Sequence, residues 1–308
     1  MVPPTRAPLS PPAPAAPALN PSDYDSRFLP SSSSSDPDLA WTTLQHTEDF
    51  LPPRYTSSSS TPTPEDHVRF VCISDTHGLH EKPCSVVTSL PSGDVLIHAG
   101  DFTNLGGKQD LTKFVTFLER HRDQYKQIIL IAGNHDLSLD TEFYDREWQE
   151  WHRKGKIETA LLDFKEDLAK RVPNAVYLED ELCVTDGGLR VWGSPWTPYF
   201  HGWGFNLNRG QSCDAKWAEA PDDVDLLLTH GPPLGRGDQC LPRKNRAGCA
   251  DLLRHVRRIR PMAHVFGHIH EGAGVSSDGV TDFVNASTCT FAYRPTNGPI
   301  ILDLPRRV

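Results

Sequence analysis

Five short groups of Asp, Asn and His punctuate the chain, each placed directly after an apolar run: Asp75 and His77, Asp101, Asn134-His135-Asp136, His230, and His268 with His270. Carboxylate, carboxamide oxygen and imidazole are ligands for divalent ions in hydrolytic centres, and Mn, Fe or Zn would suit the set. No thiolate belongs to it, so a structural zinc site is not indicated. Seven or eight such side chains exceed what one ion takes and fit two. Two ions roughly 3.5–4 Å apart polarise a phosphoryl group and activate a water. Asp101 is the natural bridge, because one carboxylate offers an oxygen to each side. Asn134 adds a neutral oxygen and limits the negative charge. In extended geometry residues i and i+2 point the same way, so Asp75 and His77 are expected to face one point.

The elements that must position these groups are strands. Apolar runs at 68–73, 94–99, 127–132, 175–178, 182–185, 189–193, 224–229, 263–267, 281–285 and 299–303 read as β. The early ones are apolar nearly throughout, as in strands covered on both faces. Helices are expected over 108–122, 159–171 and 246–259, with Leu111, Phe114, Val115 and Leu118 on one face of the first. Pro173 and Pro261 stop the other two. So many short strands between helices imply an α/β fold of two packed mixed sheets flanked by helices. In such sheets ligands bind beyond the carboxyl ends of strands, where all five groups fall. His98 and His264, inside strands, read as core histidines.

Composition bounds the rest. Residues 1–64 hold 14 of the 27 prolines and serine runs at 31–35 and 57–60, which reads as a disordered tail ahead of a catalytic domain over 65–308. Pro11-Pro12-Ala13-Pro14 favours polyproline II and would suit an SH3-type groove. Trp41, Leu44, Phe50, Leu51 and Tyr55 supply apolar material able to pack back onto the domain. A net charge of −9 argues against a general nucleic-acid binder. No apolar stretch is long enough to cross a bilayer, and prolines interrupt any secretory core. Seven scattered cysteines without a CxxC suit reduced thiols in the cytoplasm. Asn285-Ala286-Ser287 matches a glycosylation acceptor by chance. Ser194 lies outside a nucleophile elbow, and Gly106-Gly107-Lys108 is not a P-loop.

The groups Asp75-x-His77, Gly100-Asp101, Gly133-Asn134-His135-Asp136, His230 and Gly267-His268-x-His270 resemble the five signature blocks of the calcineurin-like metallophosphoesterases, over residues 68 to about 305. Gly193-Ser194-Pro195-Trp196, Gly202-Trp203-Gly204-Phe205-Asn206-Leu207 and the surroundings of His230 and His268 resemble a subgroup related to class III cyclic-nucleotide phosphodiesterases. The resemblance implies a four-layer α/β/β/α sandwich. It implies Asp75, His77, Asp101 and His270 around one metal, Mn²⁺ for preference, and Asp101, Asn134, His230 and His268 around the other. His135 would stabilise charge on the phosphate and protonate the leaving oxygen, and Asp136 would orient His135, the alternative being a turn residue. The implied activity is hydrolysis of phosphodiesters, cyclic nucleotides or similar small esters, by a metal-bridging hydroxide. A phosphomonoesterase acting on nucleotides or phosphoproteins is the enzyme alternative, and a scaffold with a slow site is the non-enzyme one. The aromatic residues of 192–205 could stack on a base. Arg209 and Arg243 read as surface charge, the alternative being contact with a phosphate.

Overall fold

The computed structural model describes residues 35–307. Its centre is β2 (His67–Ile73), whose side chains are buried on both faces from Val68 onward. Alternation sends Val68, Phe70 and Cys72 to one side and Val71 and Ile73 to the other. β3 (Val95–Ala99), β4 (Gln127–Ile131) and β5 (Ala175–Tyr177) extend the sheet in parallel from β2. On its other side stand the antiparallel strands β14 (Ile300–Pro305) and, at the edge, β1 (Thr56–Ser57).

A second sheet is ordered β12-β13-β11-β10-β7-β6. These are β6 (Glu181–Val184), β7 (Arg190–Ser194), β10 (Leu226–Thr229), β11 (Ala263–Phe266), β12 (Gly274–Ser277) and β13 (Asp282–Asn285). Its four central strands are parallel and its two edges antiparallel. A parallel ribbon of β8 (Thr197–Pro198) and β9 (Asn206–Leu207) stands apart.

Phe70, Cys72, Ile97 and Ile129 of the first sheet pack against Val191, Leu226, Val265 and Val284 of the second. The outer face of the first sheet carries Phe114, Val115 and Leu118 of α2 (Lys108–His121) and Phe164 and Leu168 of α4 (Ala160–Arg171). The outer face of the second is covered by Cys213 and Trp217 of α5 (Gln211–Trp217) and Leu252 and Val256 of α6 (Ala250–Ile259). The result is the four-layer sandwich α/β/β/α. Full burial of such side chains stabilises by about 1.5–3 kcal/mol each.

The expected strands and helices are present, with α6 starting at Ala250 rather than 246 because Cys249 is still extended and caps it. α3 (Thr141–Trp151), α5, β1, β8, β9 and β12 were not anticipated. Among the described residues, no helix is long and apolar enough to cross a membrane.

The reading of residues 1–64 as a disordered tail needs correction over its described part. Pro37–Leu44 forms a helix, α1, capped by Asp36, whose Oδ1 accepts the Asp38 and Leu39 N–H groups at 3.0 Å. Ala40 and Leu44 are buried against Leu234, Ala250 and Leu253. Downstream, Glu48 pairs with the fully buried Arg236, and Asp282 accepts the Arg54 and Tyr55 N–H groups. Apolar and charged anchors spaced among the prolines thus fasten this segment down, as the run Trp41–Tyr55 suggested. Pro11–Pro14 lies outside the described residues.

Candidate metal centre

Each group follows a strand and then turns sharply. Asp75, His77, Asp101 and His268 have φ of 51°, 44°, 53° and 67°, the left-handed region that side chains other than glycine rarely adopt. The convergence of Asp75 and His77 therefore comes from two left-handed turns after β2, not from extended alternation as the sequence suggested. The turns are held by the neighbouring block: the Asp75, His77 and Gly78 N–H groups donate to the carbonyls of Gly100, Asp101 and Phe102 at 2.9–3.0 Å. Two glycines allow the closest approaches. A Cβ at Gly267 would lie 2.0 Å from Asp75 Oδ2, and one at Gly133 would lie 2.3 Å from Asp101 Oδ1.

The side chains meet in two adjoining clusters. Asp75, His77 and His270 form one, and Asp101, His230 and His268 the other, with donor atoms of each set within 4.8 Å of one another. His77, Asp101 and His135 form a third such set between them. Asp101 Oδ2 lies 3.2 Å from His230 Nε2 and 3.9 Å from His77 Nε2, so it faces both clusters. Asn134 Oδ1 stands 3.0 Å from His230 Nε2 and completes the second cluster. The structure thus brings together all seven expected metal ligands.

The imidazoles are oriented for ligation. His230 Nδ1 lies 2.8 Å from the Ala99 carbonyl and His270 Nδ1 lies 3.1 Å from that of Thr290. Donation there aims each Nε2 inward, where it can ligate once its own proton is displaced, as in metal-binding histidines. Burial pushes His77 and His268 down to about 3, which keeps both neutral. Burial also disfavours charge on His230, but the adjacent Asp101 outweighs it and raises the imidazole to about 9. Burial works against the Asp75 anion too, yet the hydrogen bond from His270 holds its carboxyl below the ordinary range. Two buried carboxylates, the neutral imidazoles of His77 and His268, and the imidazoles of His230 and His270, whose protons a cation would displace, form a donor set that fits divalent cations.

His135 sits beside both clusters. Its backbone N–H donates to Asp101 Oδ1 at 2.8 Å, and its Nδ1 lies 2.8 Å from the Asn104 carbonyl. Asp136 does not orient this imidazole, contrary to expectation. Its Oδ1 accepts the Thr103 N–H and hydroxyl, and its Oδ2 accepts the Gly133 N–H. It ties the turn of its own block to that of Asp101, the turn role kept as the alternative.

Other expectations are decided by contacts. His98 and His264 are buried core residues, with Nε2 3.0 Å from the Thr76 hydroxyl and 2.8 Å from that of Thr229. Ser194 donates to Asp180 at 2.7 Å and is no nucleophile. Arg209 donates to the carbonyls of Ala247 and Gly248, so it is committed to the backbone. Cys213 and Cys249, far apart in sequence, meet beside Asp251, but that carboxylate is already engaged by Gly210 N–H and Arg254.

Sequence reasoning missed the support of the first cluster. Ser287 Oγ donates to Asp75 Oδ2 at 2.9 Å and also lies 2.7 Å from Asn285 Oδ1. Asn285, which matched a glycosylation acceptor, is 1% exposed and donates to the Ile269 carbonyl between the two histidines of the last block. Tyr293 packs edgewise on His77 and His270, with centroids 4.9 and 5.2 Å away. Only the proximity of Asn285 and Ser287 to a strand end hinted at any of this.

A fold of this kind with a buried Asp/His centre at its strand ends defines a metal-dependent phosphoesterase. The chain belongs to the calcineurin-like phosphoesterase family, whose model matches residues 68–272. It is 47% identical over 246 residues to human metallophosphoesterase domain-containing protein 1, covering 79% of this chain and 73% of that one. It is 40% identical over 278 residues to UPF0046 protein T07D4.2 of Caenorhabditis elegans, covering 88% and 68%. Part of a probable rhamnogalacturonate lyase C of Emericella nidulans is also similar, at 38% identity over 69% of this chain but 18% of that protein. Among solved structures, TT1561 of Thermus thermophilus shares the fold at TM-score 0.51 and 14% identity, over 71% of this chain and 88% of that one. The protein is a phosphoester hydrolase that uses divalent metal ions.

Proposed function

We propose that this hydrolase is a dinuclear phosphodiesterase acting on small diesters such as cyclic nucleotides. The observation that carries the reading is the position of Asp101 Oδ2 between His77 and His230, which joins two donor clusters through one carboxylate. Asp75, His77, Asp101 and His270 would hold one ion and Asp101, Asn134, His230 and His268 the other, with Mn²⁺ the preferred metal. The ions would supply positive charge to the phosphoryl oxygens and lower the pKa of an attacking water.

The chain's own groups do the rest. With His135 Nδ1 turned to the Asn104 carbonyl, Nε2 is the nitrogen left to face an ester. As imidazolium it donates to the departing oxygen while the P–O bond breaks. Phe200, packed on His268 at 5.8 Å, and Tyr293 present half-exposed rings at the rim, which supports a substrate carrying a planar group such as a base. All seven cysteines are free thiols, which supports work in a reducing compartment such as the cytoplasm.

The test is purified protein with Mn²⁺ against bis-p-nitrophenyl phosphate, p-nitrophenyl phosphate and 2′,3′- and 3′,5′-cyclic nucleotides. Diester turnover abolished by Asp101→Ala is the expected result. Turnover of the monoester alone, or activity indifferent to Asp101→Ala, would overturn the reading.

A further inference from the structure

The block Gly202–Leu207 is absorbed by neither metal cluster, yet it reaches the centre through one ring. The Trp203 indole stacks on the His135 imidazole with centroids 4.0 Å apart and planes 29° from parallel. Its own neighbour is Trp151, the last residue of α3, at 4.5 Å. The His77 ring meets His135 edge-on at 4.6 Å. One hydrogen bond, from Nδ1 to Asn104, fixes a corner of the imidazole but leaves the ring plane free to swing. The indole removes that freedom, because rotation would drive the imidazole edge into its face.

The rest of the block explains how Trp203 is held. The Phe205 N–H donates to Asp140 Oδ2 at 2.7 Å, while Asp140 Oδ1 accepts the Phe143 N–H at 3.1 Å and caps α3. One carboxylate thus anchors both the loop of Trp203 and the helix of Trp151. Asn206 accepts the Phe200 N–H at 2.8 Å and donates to the Gly204 carbonyl and the Thr197 hydroxyl at 3.0 Å. At Gly204 a Cβ would meet the Asn134 carbonyl at 3.4 Å, so the loop lies directly on the block it serves.

We propose that Trp203 is a positioning residue for His135, holding the imidazole plane so that Nε2 addresses the departing oxygen of the ester. The proposal rests on the reading of His135 as proton donor. The proton passes from His135 to that oxygen as the P–O bond breaks, and the indole is unchanged.

The test compares bis-p-nitrophenyl phosphate, whose leaving group needs little protonation, with diphenyl phosphate, whose leaving group is more basic, for wild type, Trp203→Ala, Trp203→Phe, His135→Ala and the His135→Ala/Trp203→Ala pair. Metal content and thermal melting are recorded for each. Trp203→Ala is expected to lower kcat on diphenyl phosphate by about 10²-fold and on bis-p-nitrophenyl phosphate by only a fewfold, with KM little changed. Trp203→Phe should restore most of the loss, and the pair should be no worse than His135→Ala alone, as for residues acting as a unit. Equal losses on both esters, a loss confined to KM, or additivity with His135→Ala would overturn the assignment while leaving the phosphodiesterase reading intact. A His135→Ala variant with no leaving-group dependence would overturn the proton-donor role itself and the assignment with it.

Discussion

His77 Nε2 and His270 Nε2 face each other across 3.1 Å. Two ring nitrogens at that distance need a proton or a cation between their lone pairs. Burial keeps His77 neutral, with its imidazole pushed down to about 3. A cation that draws these groups together therefore binds the folded chain far better than the unfolded one. At a concentration 100 times Kd such binding adds about 2.7 kcal/mol. Chelation is expected to lower Tm by roughly 5–10 °C, and Mn²⁺ to restore it. Scanning calorimetry with and without chelator decides this, and a Tm indifferent to metal would remove the centre from the stability of the fold.

Gly133→Ala should damage the centre without altering a single ligand. Its backbone is not left-handed, so the cost is the collision of the new methyl with Asp101 Oδ1 at 2.3 Å, the Asp101 backbone nitrogen at 2.5 Å and His230 Cε1 at 2.6 Å. Overpacking of this kind costs about 1–3 kcal/mol, which a domain of this size can absorb. Bound metal per chain, measured by elemental analysis, is expected to fall by half or more. Full metal content with full activity would show that Asp101 has room to move.

Asp75→Ala removes a proposed ligand and also the acceptor of the His268 N–H and the Ser287 hydroxyl. The expected outcome is loss of metal and of activity with a folded chain, its Tm reduced by a few degrees. Elemental analysis beside circular dichroism checks it, and an unfolded variant would assign Asp75 to the fold before the site.

Glu48→Ala strands a buried cation. Arg236 is fully buried between the rings of Phe50 and Phe283, at 4.4 and 4.7 Å, and Glu48 is the carboxylate paired with it. Breaking one partner of a buried pair costs about 3–5 kcal/mol. Urea denaturation of the variant is expected to show that loss, and a change under 1 kcal/mol would mean that the segment before β2 is loosely attached.

His80 should contribute an acid-sensitive part of the stability. It is buried beside Phe114 and Phe117, and burial lowers its pKa from 6.5 to about 4. Between those values the unfolded chain binds the proton and the folded one refuses it. The contribution is present above pH 6.5 and is lost as pH falls toward 4, by roughly 1.4 kcal/mol per unit. Comparing unfolding of wild type and His80→Leu at pH 7.5 and 5 isolates it from metal release. An equal acid loss in both proteins would exclude His80 as its source.

The five Asp/Asn/His blocks were legible because each is a contiguous pattern: an apolar strand, often a small residue, and a polar group. Their convergence was legible only in outcome, since left-handed turns at Asp75, His77, Asp101 and His268 leave no compositional mark. The partner of His135 is a backbone carbonyl at Asn104, and a carbonyl exists at every residue, so no sequence pattern could single it out. Helix α1 and strand β1 were hidden for another reason. Proline and serine dominate the segment by count, whereas its attachment depends on a few anchors such as Leu44, Glu48 and Tyr55.

Strand β14 lies between β1 and β2, and Arg69 of β2 donates to Asp303 of β14 across 234 residues of chain. Asp75 likewise meets its Ser287 partner 212 residues later. During synthesis on the ribosome, β2 therefore emerges with one side bare and waits for translation of β14 before its sheet can close. At 5–20 residues per second that delay is about 12 to 47 seconds. For that interval the nascent chain carries an apolar, unpaired strand edge, the kind of surface that pairs with other chains unless it is shielded.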